Sequence, residues 1–152
     1  MGVGLVDADA DLLKPVFADA LRAARSDPLP QRLNYMYNSL VDLIREWRPS
    51  VVAIEHPFLA RNVRSALAVG QAQAVAMMAA AQWDLPVCNY SPRQIKKAVT
   101  DHGGSSKAQV QEMVSVLLGL ESPPRSLDAA DALAVAICHA NASQTQALVF
   151  SE

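Results

Sequence analysis

Residues Ser50–Glu55 read SVVAIE, and this short run sets the class of fold. Val51, Val52, Ala53 and Ile54 form an unbroken apolar segment without polar alternation, the pattern of a strand covered on both faces, as in a parallel sheet. Only the last residue, Glu55, is charged. Open α/β sheets bind ligands just beyond the carboxyl ends of their central strands, which makes Glu55 a candidate site residue. The plainer reading makes it the first residue of a loop.

Working outward toward the N-terminus, Pro30–Trp47 places Leu33, Met36, Leu40, Val41, Ile44 and Trp47 mostly three and four residues apart, an amphipathic helix that Pro49 ends. Met1–Val6 has the alternation and β-branching of a strand, and Asp7–Asp11 is a turn. Leu12–Leu21 is a weaker strand containing Pro15, so the pair predicts a hairpin with an edge. Toward the C-terminus, His56, Pro57 and Phe58 form a loop before a helix from about Asn62 to Trp83. Gly70 in that helix is expected at a close helix contact. The segment is apolar enough to invite a membrane reading, but Arg64, Gln71, Gln73 and Gln82 interrupt it, so a buried helix is expected and no membrane partner. Pro86–Tyr90 is a short strand. SPRQ, Ser91–Gln94, is a capping box with proline at the first helical position and opens a helix through Thr100. The connection DHGGSS, Asp101–Ser106, leads to a second capping box, Ser106–Gln109, with Lys107 at the helix start. Its stripe of Val110, Met113, Val114, Leu117 and Leu118 stops at Gly119. A last helix opens near Ser126, and about residues 142–152 are expected to fray.

Strands and helices alternate after residue 30, which predicts an α/β domain, single over 1–152, with no internal repeat. A chain of 152 residues, 51% hydrophobic and 18% charged, has the interior for one sheet and several helices. The first residues lack the basic start and apolar run of a secretory signal, and Cys88 and Cys138 have neither CxxC nor metal-ligand spacing. They read as small core thiols of a cytoplasmic protein. The net charge of −2 hides an asymmetry. Between Arg45 and Lys107 the bases Arg45, Arg48, Arg61, Arg64, Arg93, Lys96, Lys97 and Lys107 outnumber the acids Glu46, Glu55, Asp84 and Asp101. Arg45 and Arg48 read as a solvated helix face. Arg61 and Arg64 begin a helix, where a cation opposes the dipole, so contact with phosphate is a reason for them.

The final helix, SLDAADALAVAICH at Ser126–His139, carries two acids in an apolar setting. Asp128 and Asp131, three residues apart, leave a helix on one face. Asp128 is also what a helix first turn behind an N-cap serine favours, so dipole and site readings both stand for it. Asp131 lies deeper, between alanines that face a core. Glu55, Asp128 and Asp131 without His or Cys partners suit hard cations, Mg²⁺ or Mn²⁺. In a two-metal site such carboxylates serve phosphodiester hydrolysis.

VVAIE followed by Phe58, the RNVRSALAVGQAQ segment, SPRQIKKAV, Gly104 to Lys107, and DAADALAVAICH together resemble the RuvC family of Holliday junction resolvases, in order and spacing from about Gln31 to His139. The resemblance implies a ribonuclease H-like fold, a mixed central sheet with helices on both faces. It implies a homodimeric endonuclease that nicks four-way junction DNA symmetrically, leaving 5′-phosphates, in recombination and repair, beside RuvA and RuvB branch-migration proteins. It implies Mg²⁺, with Mn²⁺ able to substitute and two ions per subunit. Glu55, Asp128 and Asp131 become metal-binding catalytic acids, and Phe58 the aromatic that meets unstacked bases. Lys96 and Lys107 become the basic residues near the scissile phosphate, with Arg61, Arg64, Arg93 and Lys97 as further DNA contacts. The family's first strand, of the type GIDPG, carries a fourth acid. MGVGLV resembles only the strand after it, and Asp7, Asp9 and Asp11 fall in the hairpin turn. The expectation is therefore an N-terminally incomplete chain whose first strand is missing, through a start placed too far downstream or a truncation. The alternative is a junction-binding, non-cleaving homologue or a truncated inactive form. A nuclease of RNA·DNA hybrids fits the acids but not Phe58 and Lys107.

Overall fold

The computed structural model describes residues 1–9, 12–56 and 62–149, with the side chains of 146–149 outside that description. Its elements run β1 (Gly2–Asp9), β2 (Leu12–Ala20), α1 (Leu29–Trp47), β3 (Val52–Glu55), α2 (Val63–Ala81), β4 (Val87–Tyr90), α3 (Pro92–Thr100), α4 (Lys107–Leu117) and α5 (Leu127–Val149). This is the expected α/β composition. The expected mixed sheet is represented, among the described residues, by two separate two-stranded ladders, β1–β2 and β3–β4. The chain divides into two compact units, Met1 with Leu21–Asn89, and Gly2–Ala20 with Tyr90–Glu152.

In the first unit, α1 and α2 share a small core of Val41, Ile44 and Ala79, flanked by Tyr37, Leu40, Trp83 and Leu85. Tyr37 Oη donates to Gln82 Oε1 at 2.5 Å across the two helices. The α1 stripe read from its spacing is thus the buried one at Val41 and Ile44, while Trp47 stays exposed. Arg45 pairs with Asp42 at 3.0 Å on the solvated face. The helix closes on Arg48 in the left-handed region (φ 46), the residue before Pro49. Val52 N–H donates to Pro86 O at 2.9 Å beside the β3–β4 ladder.

Two expectations for α2 fail. Gly70 marks no close contact among the described residues, because a Cβ built there meets none of them within 4 Å. Nor is the helix buried throughout: only Val75, Ala79 and Ala80 are, while every residue from Asn62 to Gly70 is exposed, Val63 at 86% and Leu67 at 62%. Apolar composition reports what a helix can bury, not whether its own chain supplies the cover. No helix among the described residues is long and apolar enough to cross a membrane.

The second unit is organised around α5. β1 and β2 pair antiparallel from Gly2↔Ala20 to Asp9↔Leu12, with an irregularity at Leu5/Val6 that places Pro15 opposite Val6. A proline, which cannot donate to the ladder, is accommodated at such a break. Gly2 and Gly4 lie two residues apart on one face of β1, and α5 runs directly over them. A Cβ on Gly2 would overlap the Asp128 carbonyl, and one on Gly4 would stand 2.8 Å from Leu133 N and 3.0 Å from the Ala132 carbonyl carbon. On its other sides α5 packs on α3 and α4, and the residues buried in this unit include Ile95 and Val99 of α3, Val110 and Val114 of α4 with Leu118 at its end, and Ala129, Ala130, Leu133, Ala134, Ile137 and Cys138 of α5. Both capping boxes are formed: Gln94 N–H donates to Ser91 Oγ at 3.3 Å, and Gln109 N–H to Ser106 Oγ at 3.2 Å, with reciprocal bonds from the cap N–H groups. The helix α5 continues to Val149, through part of the stretch expected to fray.

Gly4→Val puts a branched side chain against the α5 backbone. It is expected to destabilise the chain by about 1–3 kcal/mol or more, the usual cost of overpacking, as a lower denaturant midpoint in urea unfolding.

Candidate metal and nucleic-acid site

The start of α5 is fixed by Ser126, whose Oγ accepts the Ala129 N–H at 3.1 Å and whose carbonyl accepts the Ala130 N–H at 3.1 Å. Asp128 therefore sits exposed in the first turn, where the helix dipole favours a carboxylate. Asp131 follows one turn later on the same face. It is half-buried between buried Ala130 and half-buried Ala132, as its flanking alanines predict. The structure brings a base to it: Lys107 Nζ lies 2.8 Å from Asp131 Oδ2. Lys107 is the first residue of α4, so the Ser106–Gln109 capping box that starts that helix also places its ammonium.

Arg93, Lys96 and Lys97 lie on α3 of the same unit, Arg93 and Lys97 exposed and Lys96 half-buried. The Arg93 stem rests on the loop ahead of α4: a Cβ on Gly103 would stand 2.9 Å from Arg93 Cγ, so glycine leaves room for that side chain. The loop is braced by Thr100, whose Oγ1 is 2.8 Å from Lys96 O, 3.0 Å from His102 O and 2.6 Å from Ser105 Oγ. A short, tied connection thus runs from the end of the basic helix α3 to the basic start of α4.

Glu55 lies in the first unit, exposed at the last position of β3, where SVVAIE places it. Its carbonyl accepts a 2.7 Å bond from Gln73 Nε2 of α2. Arg64 is exposed in the first turn of α2, and its N–H donates to the Asn62 side chain at 2.8 Å. Phe58 and Arg61 lie outside the described residues.

One polar constellation has no signal in the sequence. Tyr90 Oη, at the end of β4, lies 2.8 Å from His139 Nδ1, with ring centroids 5.9 Å apart edge to face, and His139 Nε2 is 3.2 Å from Ser143 Oγ. Burial holds the His139 pKa below its ordinary value of 6.5 and raises that of neighbouring Cys138. Nothing in the spacing of Tyr90 and His139 announces a pair, because the contact exists only once α5 packs beside the β4–α3 junction.

Asp128 and Asp131 offer oxygen donors alone, which fits Mg²⁺ or Mn²⁺ in kind. Among the described residues no group of three or more His, Cys, Asp and Glu side chains stands close enough to hold a metal ion.

An α/β chain with paired helical carboxylates, a lysine on one of them and basic helix starts around it has the parts of a phosphodiester nuclease. Residues 1–139 match the family described as Crossover junction endodeoxyribonuclease RuvC. A relative with that name from Dehalococcoides mccartyi is 50% identical over 139 residues, 91% of this chain and 83% of its own. Another from Chloroflexus aggregans is 46% identical over 145 residues, 95% and 88% of the two chains. Among solved structures, Thermus thermophilus RuvC in complex with Holliday junction substrate superposes with a TM-score of 0.90 at 31% identity, over 95% of this chain and 88% of that one. A second Thermus thermophilus RuvC structure gives 0.87 at 30% identity, over 95% and 89%. The chain belongs to the RuvC family, and its fold is ribonuclease H-like.

The depressed His139 pKa fixes a sign. On acidification the unfolded chain takes up this proton before the folded one, so the contribution is complete above the ordinary value of 6.5 and is lost as pH falls below it. Thermal melts between about pH 7.5 and 5 are expected to show the wild type losing stability on the acid side. His139→Gln is expected to flatten that part of the profile.

Proposed function

We propose that this protein is a structure-specific DNA endonuclease that resolves Holliday junctions by paired symmetrical nicks in recombination and repair. The observation that carries the reading is the pair Asp128 and Asp131 on one face of α5, with Lys107 beside them, in a chain that belongs to the RuvC family. Four-way junction DNA as partner is supported by the likeness to a RuvC bound to a Holliday junction substrate.

In this reading Asp128, Asp131 and Glu55 are the acids that would supply oxygen ligands to two divalent ions, Mg²⁺ or in its place Mn²⁺. Such ions would supply an activated water and stabilise the departing 3′ oxygen, so that the phosphate stays on the 5′ end. Lys107 and Lys96 neutralise the scissile phosphate, Arg93 and Lys97 hold the backbone flanking it, and Arg61 and Arg64 are further DNA contacts. Phe58 stacks on bases already partly unstacked at the junction centre. RuvA and RuvB follow as partners, and the cytoplasm as compartment, from the family.

A homodimer is part of the proposal, and α2 supports it. Val63, Leu67, Gly70, Ala74, Met77 and Ala81 recur at four and three residues, a coiled-coil seam, and all are exposed. The close contact that Gly70 lacks among the described residues would then be made to a second copy. Two nicks placed symmetrically on a junction need two such sites related by a twofold axis.

Incubation with Mg²⁺ and a synthetic four-way junction is expected to give paired nicks with 5′-phosphate ends, and none on linear duplex. Junction binding without nicking would sink the enzyme reading. Asp131→Asn is expected to keep junction binding in gel-shift assays but to slow cleavage by on the order of 10²-fold or more, several kcal/mol of lost charge stabilisation.

A further inference from the structure

The ion pair between Lys107 Nζ and Asp131 Oδ2, 2.8 Å long, joins two residues that the nuclease reading uses separately, one for phosphate and one for metal. Both side chains remain open to solvent, Lys107 at 61% and Asp131 at 37%. Such a pair is screened and weak enough to exchange. Its two ends are nevertheless well placed. Asp131 is set by a helix packed on β1, and Lys107 by a capping box at the first position of α4. A cation at a helix start opposes the dipole, so Lys107 gains from any anion within reach. Asp131 supplies one in the free protein, and a DNA phosphate is the other kind.

Resting on the nuclease reading above, we propose that Lys107 is an exchangeable counter-ion: it occupies Asp131 while no divalent cation is bound, and leaves it for a DNA phosphate. A carboxylate oxygen that accepts from an ammonium is less available to a metal, so in the free protein Lys107 lowers metal affinity. When a phosphate takes the ammonium, Asp131 is released and metal affinity rises. By linkage, metal binding raises phosphate affinity by the same factor. The device disfavours a loaded site without substrate and completes it when DNA arrives.

The test reads Mn²⁺ affinity without DNA, by electron paramagnetic resonance of the free ion, so that no cleavage is involved. Lys107→Met and Lys107→Gln are each expected to bind Mn²⁺ roughly two- to fivefold more tightly than wild type, the range that a partly exposed ion pair is worth. Lys97→Met, which removes a charge from neighbouring α3, is expected to change it less. In an Asp131→Asn background Lys107→Met is expected to have no further effect, the mark of a pairwise interaction in a double-mutant cycle. Unchanged or weaker Mn²⁺ binding in both Lys107 variants would overturn the proposal. So would an equal gain from Lys107→Met in the Asp131→Asn background, or an equal gain from Lys97→Met, since either reports a general field. If Asp131→Asn itself leaves Mn²⁺ affinity unchanged, the metal reading of Asp131 falls as well. If that substitution weakens binding and Lys107 variants do not strengthen it, the exchange alone is wrong.

Discussion

The structure depends on the approach of one helix backbone to one strand backbone. α5 lies so close over β1 that Gly2 and Gly4 have no room for a Cβ against the Asp128 carbonyl and the Leu133 amide. Glycine in a strand is ordinarily a weakness, costing entropy and packing nothing. Here it lets the helix settle to van der Waals distance, with alanines at 129, 130 and 134 keeping its other contacts thin. Leu133 and Ile137, both essentially inaccessible, fill the remaining space. Each is worth roughly 1.5–3 kcal/mol on burial. The consequence for function is positional: the acids project from a helix that cannot slide on its strand, which is what a site built on rigid elements requires.

That placement raises an electrostatic problem, since two carboxylates one turn apart repel and the half-buried Asp131 loses hydration against an apolar helix. Different devices meet it at the two positions. Asp128 is exposed and occupies the first turn, where the unsatisfied N–H groups of α5 favour negative charge. Asp131 is beyond that turn and half-buried, and it receives a lysine instead. The lysine in turn sits on a helix start that disfavours it, so the two mismatches cancel only when they are brought together. Folding thus stores a cation beside the acid most in need of one.

How much of this was legible depends on the range of the interaction concerned. Signals confined to a few residues were readable: both capping boxes, the end of α1 before Pro49, Glu55 at the close of a strand, most of the α4 stripe, in which Val110, Val114 and Leu118 are buried but Leu117 is exposed, and the hairpin, although β1 stays paired to Asp9 where a turn from Asp7 was expected. The common face of Asp128 and Asp131 follows from helical period alone. Pairings across elements were not readable. Neither the Lys107–Asp131 bridge nor the Tyr90–His139 contact is encoded in local spacing, because each is set by how α3, α4 and α5 pack. Gly2 and Gly4 look like ordinary strand residues until α5 is laid over them.

The two alanine-rich helices show why burial is the harder inference. α2 and α5 are similar in composition, each apolar on nearly all sides, yet α5 is enclosed by β1, α3 and α4 while the first turns of α2 face solvent. Composition fixes the free energy available on covering such a helix, about 25 cal/mol per Å² of apolar surface, but not which surface does the covering. For α5 the partner is local and already present. For α2 the stripe of Val63, Leu67, Gly70, Ala74, Met77 and Ala81 is too regular to be incidental and too apolar to be a comfortable solvent face. A twofold pairing along that seam would use Gly70 as α5 uses Gly2 and Gly4, to let two backbones come close. Under the proposed function the same pairing would set the spacing of the two nicks, so the geometry of the cut would be decided by a helix that carries no catalytic acid.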